Sequence, residues 1–451
     1  MTRHNQTIRS TSMHMAGIAL LFVAAGVAVS TLVSLFNQRV DSVSLLLATV
    51  IVGFAGLLLF TSTKLGKTDQ ASIFTAVGTT WLIVSLFGTI PYLLAGTFSR
   101  TGIGIPEVFV DSLFESVSGF TASGSTVFGA HNPIEMQGSG ILFYRQLTQW
   151  MGGMGIVILV VSVLPSLRAS GLGLIDAEAP GAGVERIAPR VVETAKKFWY
   201  VYLSLTVFIA LALFLFGMGP FDAVSHALTT ASTGGFSTKD SSLGHWNSIK
   251  IEMVVMLGFL LAAINFTLHA RSIEKKRFNY ASDSEFKSFM GLIAAGVLII
   301  TLLLNLEGFS FGTALRNASF NVVTLATSGG YGNALGRGES GDFASWPGST
   351  QLLLLFFIVI GGCTGSTSGG VKIMRFRIGI AHAYRILRSI RRPSALIRAR
   401  MGNKTIPDSL VERVAGFVVI YGILVVSGTF ILTVLGTDLV TSLSGSFSAL
   451  G

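Results

Sequence analysis

Apolar runs of about 20 residues, separated by short polar stretches, recur along the whole chain, and a run of that length crosses a bilayer core. Nine are read as spans: Met13–Phe36, Val43–Thr63, Ile73–Phe98, Ile141–Leu164, Trp199–Gly217, Ile251–Leu268, Phe289–Leu306, Gln351–Gly370 and Val414–Leu435. The first is taken as a span and not a cleaved leader, because no small-residue cleavage site follows and the second run comes at once.

A second pattern lies between the spans. After the third comes IPEVFVDSLFESVSGFTASGSTVF (Ile105–Phe128), and after the fifth GPFDAVSHALTTASTGGFSTKD (Gly219–Asp240). After the seventh comes SFGTALRNASFNVVTLATSGGYGNA (Ser310–Ala334), and after the ninth GTDLVTSLSGSFSALG, ending at Gly451. Each opens with a helix-start residue: Pro106, Pro220, Ser310 and Asp438 suit N-cap or first-turn positions. Each then runs for about 10–14 amphipathic residues, too few to span. In the first three a strip of Thr, Ser and Gly leads on to another span. The unit is span, short helix, strip, span, and its glycines recur at Gly124, Gly235 and Gly330.

Such a strip has little apolar surface to bury. Irregular backbone at membrane depth is tolerated where it is buried in protein or lines a wet cavity. Two readings fit it. A single strip reads as an extracellular turn. Four in register, each after a capped half-length helix, read as re-entrant backbone whose carbonyls replace an ion's hydration shell, with the partly negative helix C-termini aimed at the same place.

Composition agrees with the spans. Half of the 451 residues are apolar, only 12% are charged and mean hydropathy is +0.68, whereas soluble domains carry about 25% charged residues. The lone Cys363 excludes a disulfide framework within the chain. Basic residues orient the spans. With the N-terminus in the cytoplasm, only Arg39, Arg100, Arg145, Lys239, Lys250, Arg316 and Arg337 of the 32 Lys and Arg fall outside, a strong positive-inside bias. The +10 net charge is absorbed by that topology and calls for no nucleic acid. Acidic residues outnumber basic ones outside, which is either ordinary loop charge or an attraction for cations.

Several stretches resemble the TrkH and KtrB group of potassium transporters, and TrkH most. RQLTQWMGGMGIVILVVSVLP (Arg145–Pro165) is similar to the TrkH signature after the first strip, and EAPGAGVERIAPRVVETAKKFWYVY (Glu178–Tyr202) to its first long cytoplasmic linker. GGFSTKD (Gly234–Asp240) resembles its second filter, and IGGCTGSTSGGVKIMR (Ile360–Arg375) the glycine-rich segment of its third repeat. The resemblance implies an all-α integral membrane protein: two extra N-terminal helices, then four pseudo-repeats around a central pore. The divisions expected are a two-helix segment (1–70), a first pore repeat (71–170), a cytoplasmic linker (171–195), a second repeat (196–275), a third with an intramembrane loop (285–385), a basic linker (386–411) and a partial fourth repeat (412–451). Neither the rest of a fourth filter nor a last helix follows Gly451, so the chain reads as truncated in that repeat.

By the same resemblance, backbone carbonyls of Thr121, Ala122 and Ser123, of Ser232, Thr233 and Gly234, and of Thr327, Ser328 and Gly329 line K+ sites before the glycines Gly124, Gly235 and Gly330. Glycine at these positions resembles potassium-selective members; the alternatives are a K+/Na+ symporter or a Na+-permeable relative. The implied activity is potassium uptake across a bacterial inner membrane. K+ is the transported ion, and no cofactor is bound. The implied partners are a second copy of the chain and a cytosolic ring of TrkA-like nucleotide-binding domains.

GGCTGSTSGGVK (Gly361–Lys372) interrupts the eighth span, and Gly costs a helix about 1 kcal/mol relative to Ala. It reads as a packing seam of small residues or, by the resemblance, as a gate loop beneath the filter holding Gly361, Gly362, Gly365, Gly369 and Gly370. Lys372 is expected at the cytoplasmic interface, with a loop-positioning role left open. The basic, amphipathic Lys372–Arg400 suits anionic lipid, worth about 1 kcal/mol per charge, or partner docking. His226, His269 and Asn265 are read as packing residues. Asp111 and Glu115, four apart on one helix, could concentrate cations. Paired carboxylates also serve acid catalysis, but no nucleophile, P-loop, HExxH or CxxC accompanies them, so no enzyme is expected. A secondary carrier would show inverted repeats, whereas these share one orientation.

Overall fold

The computed structural model describes residues 2–37, 41–64, 70–100, 102, 104–155, 191–277, 280–392, 398–401 and 404–451. The expected first repeat beyond Gly155 and the linker as far as Arg190 lie outside the described residues, as do parts of the basic linker.

Two N-terminal helices, α1 (Thr2–Phe36) and α2 (Ser42–Ser62), form a hairpin. A Cβ at Gly17 would lie 2.6 Å from the Phe60 nitrogen, and one at Gly56 would lie 2.9 Å from the Leu21 nitrogen. The two helices therefore touch backbone to backbone, the small-residue crossing used where lipid removes the hydrophobic drive between helices. Asp41, at the hairpin turn, accepts the Ile141 amide at 3.0 Å and so ties the pair to the next unit.

Three helical units and a partial fourth follow. The first holds α3 (Gln70–Phe87), α4 (Ile90–Leu94), the short helix α5 (Ile105–Thr121) and α6 (Ser139–Gly153). In the second come α7 (Val191–Leu215), α8 (Pro220–Ala231), α9 (Ile249–Ala262) and α10 (Phe266–Lys275). α11 (Ser284–Leu306), α12 (Phe311–Ala326), α13 (Gly348–Ile360) and α14 (Ile373–Arg391) build the third. The fourth has α15 (Asp408–Val434) and α16 (Leu439–Leu450). The strands among the described residues are the two-residue β1 (Arg400–Met401) and β2 (Lys404–Thr405), paired antiparallel.

Among the described residues six helical stretches, α3 and α4 counted as one, are long and apolar enough to cross a membrane, or seven if one bent pair counts as a span. They carry exposed apolar faces such as Val418, Val419, Ile420 and Ile423 on α15, a surface suited to hydrocarbon. Three expectations change. The third span is two helices, because Gly88 lies against Ser116 and Phe120 of α5 and its carbonyl accepts from Tyr144 at 2.9 Å. The sixth, expected as one helix Ile251–Leu268, breaks after Ala262 and turns through 93°. Asn265 explains the break, since its side-chain oxygen accepts the Thr267 amide at 2.8 Å and starts a new helix. Finally, α5 and α12 run 17 and 16 residues, longer than expected, because the helix continues up to the strip itself. The helix starts fall as expected: Pro106 and Pro220 in first turns, Ser310 and Asp438 capping through their side chains.

The close α1–α2 crossing yields a stability prediction. Gly17→Leu should cost about 1–3 kcal/mol by overpacking and lower the thermal unfolding midpoint of the detergent-solubilised protein. Gly78→Leu, where an added Cβ meets nothing within 4 Å, should leave the midpoint unchanged.

Candidate functional site

The helices α5, α8 and α12 end alike. Just past each, one residue turns left-handed: Ala122 at φ 56°, Thr233 at 53° and Ser328 at 55°. Two residues later a glycine does the same, Gly124 at 77°, Gly235 at 80° and Gly330 at 73°. The amides of Ala122, Thr233 and Ser328 donate back to Gly119, Thr230 and Leu325 at 3.0–3.1 Å. Those of Ser123, Gly234 and Gly329 donate to Ser118, Thr229 and Thr324 at 3.1, 2.9 and 2.6 Å. These bonds satisfy the carbonyls that a helix C-terminus leaves open. They also consume the N–H groups of the two residues before each glycine. Among the described residues, no donor reaches the carbonyls of Ala122, Thr233 or Ser328.

The strips stand side by side. A Cβ on Gly124 would lie 2.3 Å from the Gly234 carbonyl oxygen, and one on Gly235 would lie 2.0 Å from that of Gly329. Gly330 faces nothing within 4 Å. The three strips named from the sequence, Thr121–Gly124, Ser232–Gly235 and Thr327–Gly330, are thus neighbours in order, the first touching the second and the second the third. At Gly235 both the positive φ and the neighbouring carbonyl exclude a side chain.

Backing comes largely from α6. Gln149 donates to the Gly234 carbonyl at 2.7 Å and accepts the Phe236 amide at 3.0 Å. Gly152 and Gly153 bring the helix against Phe120 and Ser232, where any Cβ would collide. Arg145 is buried: its Nε donates to Glu115 at 2.5 Å, its Nη1 donates to the Ser237 carbonyl at 2.8 Å, and its guanidinium lies 3.6 Å from the Phe236 ring centroid. Glu115 accepts from Thr126 at 3.0 Å and from the Val127 amide at 3.2 Å. Glu115 is therefore a paired core group and not an exposed attractor of cations, and Arg145 is not a surface loop charge. Asp111 pairs with Arg100 at 3.4 Å. His226 lies within the core, its ring 2.9 Å from the Ser237 hydroxyl. The sequence reading misses Gln149 and the pair of glycines as supports of the strips, although polar side chains and GG within an apolar run are the available signal.

The glycine-rich loop lies at the ends of α8 and α12. Thr367 Oγ1 donates to Ala231 and Ala262 carbonyls at 3.2 Å and sits 3.5 Å from Thr233 Oγ1. Ser328 Oγ accepts the Gly369 amide at 2.7 Å and lies 3.3 Å from Ser368 Oγ. Gly361 ends α13 at φ 68°, where a Cβ would lie 2.0 Å from the Gly369 oxygen. Gly362 packs on Ser368 and Ala263, Gly365 accepts the Phe266 amide at 2.9 Å, and Gly370 donates to the Gly451 carbonyl at 3.2 Å. Cys363 and Thr367 amides donate to Ala263 and Ala262 at 2.9 and 3.3 Å, and Glu285 accepts the Thr364 amide at 2.8 Å. Lys372 is turned inward, donating from Nζ to the Ser368 carbonyl, so it holds the loop instead of sitting at the interface. No group of three or more His, Cys, Asp or Glu able to hold a metal occurs among the described residues.

Comparison with known proteins agrees with this architecture. Residues 45–451 match the family model TrkH, described as a cation transport protein. Similar relatives include the Trk system potassium uptake protein TrkH of Halomonas elongata, 38% identical over 76% of this chain and 68% of the relative. The protein of the same name from Escherichia coli K12 is 34% identical over 79% of this chain and 71% of its own length. The crystal structure of the potassium transporter TrkH from Vibrio parahaemolyticus superposes with a TM-score of 0.84 at 31% identity, covering 98% of this chain and 90% of that one. The spans from the third onward, the strips and the loop all fall within residues 45–451, and the chain belongs to the TrkH family of cation transport proteins.

Proposed function

We propose that the chain is the ion-translocating subunit of a bacterial potassium uptake system, seated in the inner membrane with its N-terminus in the cytoplasm. K+ passes along the strips, shedding water in exchange for carbonyls of Thr121–Ser123, Ser232–Gly234 and Thr327–Gly329. The observation that carries this reading is the thrice-repeated backbone form, which spends two amides of each strip on the helix end and leaves the carbonyls of Ala122, Thr233 and Ser328 without a donor among the described residues. Such rings of carbonyl dipoles select among cations. The relatives' names as potassium uptake proteins support the choice of ion. The Gly361–Lys372 loop acts as the gate, because it lies against two strips through short polar contacts that can be made and released. A TrkA-like cytosolic ring controls it and docks near the basic face of α14, and the chain pairs with a second copy.

Two measurements test this. In cells lacking their own potassium systems, the full-length protein should restore growth and K+ uptake. Gly235→Ser should then reduce discrimination against Na+ about tenfold, equal to about 1.4 kcal/mol of differential ion binding; unchanged selectivity would remove the strips from the ion path. For the gate, Thr233→Cys with Thr367→Cys in a Cys363→Ala background should cross-link under oxidation. Uptake should fall at least about tenfold and recover on reduction, whereas full flux through the cross-linked protein excludes a moving loop.

A further inference from the structure

Glu115, His226 and Asn321 share a position: each stands nine residues before the glycine of its own strip. They differ in charge, size and hydrogen-bonding type, and each is fully buried. Each nevertheless reaches the limb that leaves its own glycine. Glu115 accepts from the Thr126 hydroxyl at 3.0 Å, two residues past Gly124. The His226 ring meets the Ser237 hydroxyl at 2.9 Å, two past Gly235. Asn321 Nδ2 donates to Asn333 Oδ1 at 3.2 Å, three past Gly330, and to the Gly341 carbonyl at 3.3 Å.

We propose that these three residues are clamps that set the shape of the strips and hence the cation selectivity, with Arg145 joining the first clamp to the second strip. The inference rests on the strips being the ion path. None of the four touches the ion, so all are positioning residues. A strip is irregular backbone with no shape of its own. The helix-end bonds fix where it starts, and the clamp fixes where it ends. Two anchors on one rigid helix determine how far the carbonyls between them bow, and selectivity depends on the number and field of those carbonyls.

Arg145 adds a second constraint. One guanidinium serves Glu115 of the first unit and the Ser237 carbonyl of the second, so the two strips cannot shift independently. A buried ion pair is weak evidence of stabilisation, because desolvation offsets its attraction. Its geometry, a fork spanning two strips, gives it a positioning role that an apolar pair could not fill.

The test uses the full-length protein reconstituted in liposomes, reading K+ uptake and its competition by Na+. Thr126→Val removes the hydroxyl that Glu115 holds, at almost constant shape, and Ser237→Ala removes the partner of His226. Glu115→Gln combined with Arg145→Met removes the ion pair without leaving one charge stranded. Each should still carry K+ but discriminate about tenfold less against Na+, the scale of one lost buried hydrogen bond. Thr126→Ser, which retains the hydroxyl, should restore wild-type discrimination. Folded, conducting Thr126→Val and Ser237→Ala proteins with wild-type discrimination would overturn the proposal, even if the double variant failed to fold. If Gly235→Ser also left selectivity unchanged, the ion path itself would be misassigned. If Gly235→Ser altered it and the clamp variants did not, the clamps alone would fall.

Discussion

Each strip hangs from the last turn of its short helix by two backbone bonds, and the rest of the site follows from that attachment. Non-helical backbone inside a membrane protein has amides and carbonyls that lipid cannot satisfy, at several kcal/mol each. Turning the amides of Ser123, Gly234 and Gly329 back onto Ser118, Thr229 and Thr324 settles the donors within one unit. Left-handed residues are needed to make that turn, which places Ala122, Thr233 and Ser328 where positive φ costs a non-glycine side chain some strain. The carbonyls of Ala122, Thr233 and Ser328 are what remains. An acceptor-rich, donor-poor surface is then a consequence of ending a helix inside the protein, before any cation is considered.

The other irregular segments solve the same problem in pairs. Where α9 breaks, the carbonyls of Ala262 and Ala263 lose their helical partners, and the loop amides of Thr367 and Cys363 take their place. Where α10 begins, the Phe266 amide has no helical acceptor and donates to the Gly365 carbonyl. The break and the loop are therefore one structure: neither satisfies its backbone without the other. Movement of the loop would expose groups on both sides, so any opening must exchange these bonds for others or for water.

How much of this was legible depended on whether a feature is local. Spans are set by run length, and most appear where hydropathy places them. The strips were found through glycine spacing and helix-start residues, and both are properties of neighbouring positions. What escaped was pairing across units. Arg145 sits at the start of an apolar run and counts, in one dimension, as an external charge; only the fold brings it to Glu115 and Ser237. Lys372 follows a glycine run and reads as an interfacial lysine until its amine is found on the Ser368 carbonyl. Asn265 inside AAINFTLHA looks like a packing residue, yet its cap with Thr267 is what bends the helix by 93°.

The three described strips also explain why the repeat was easier to see in spacing than in residue identity. TASG, STGG and TSGG share only small side chains and a final glycine, while their φ values agree within a few degrees. Chemistry presented by the main chain leaves side chains free to differ, so long as each permits the turn. One chain bearing several units can then back each strip differently: an ion pair behind the first, an imidazole and Gln149 behind the second, an asparagine cluster behind the third. A symmetric assembly of identical chains would have to accept one solution at every position. Here the front of the surface is nearly uniform and the support behind it is not, which separates what must be shared from what each neighbourhood can supply.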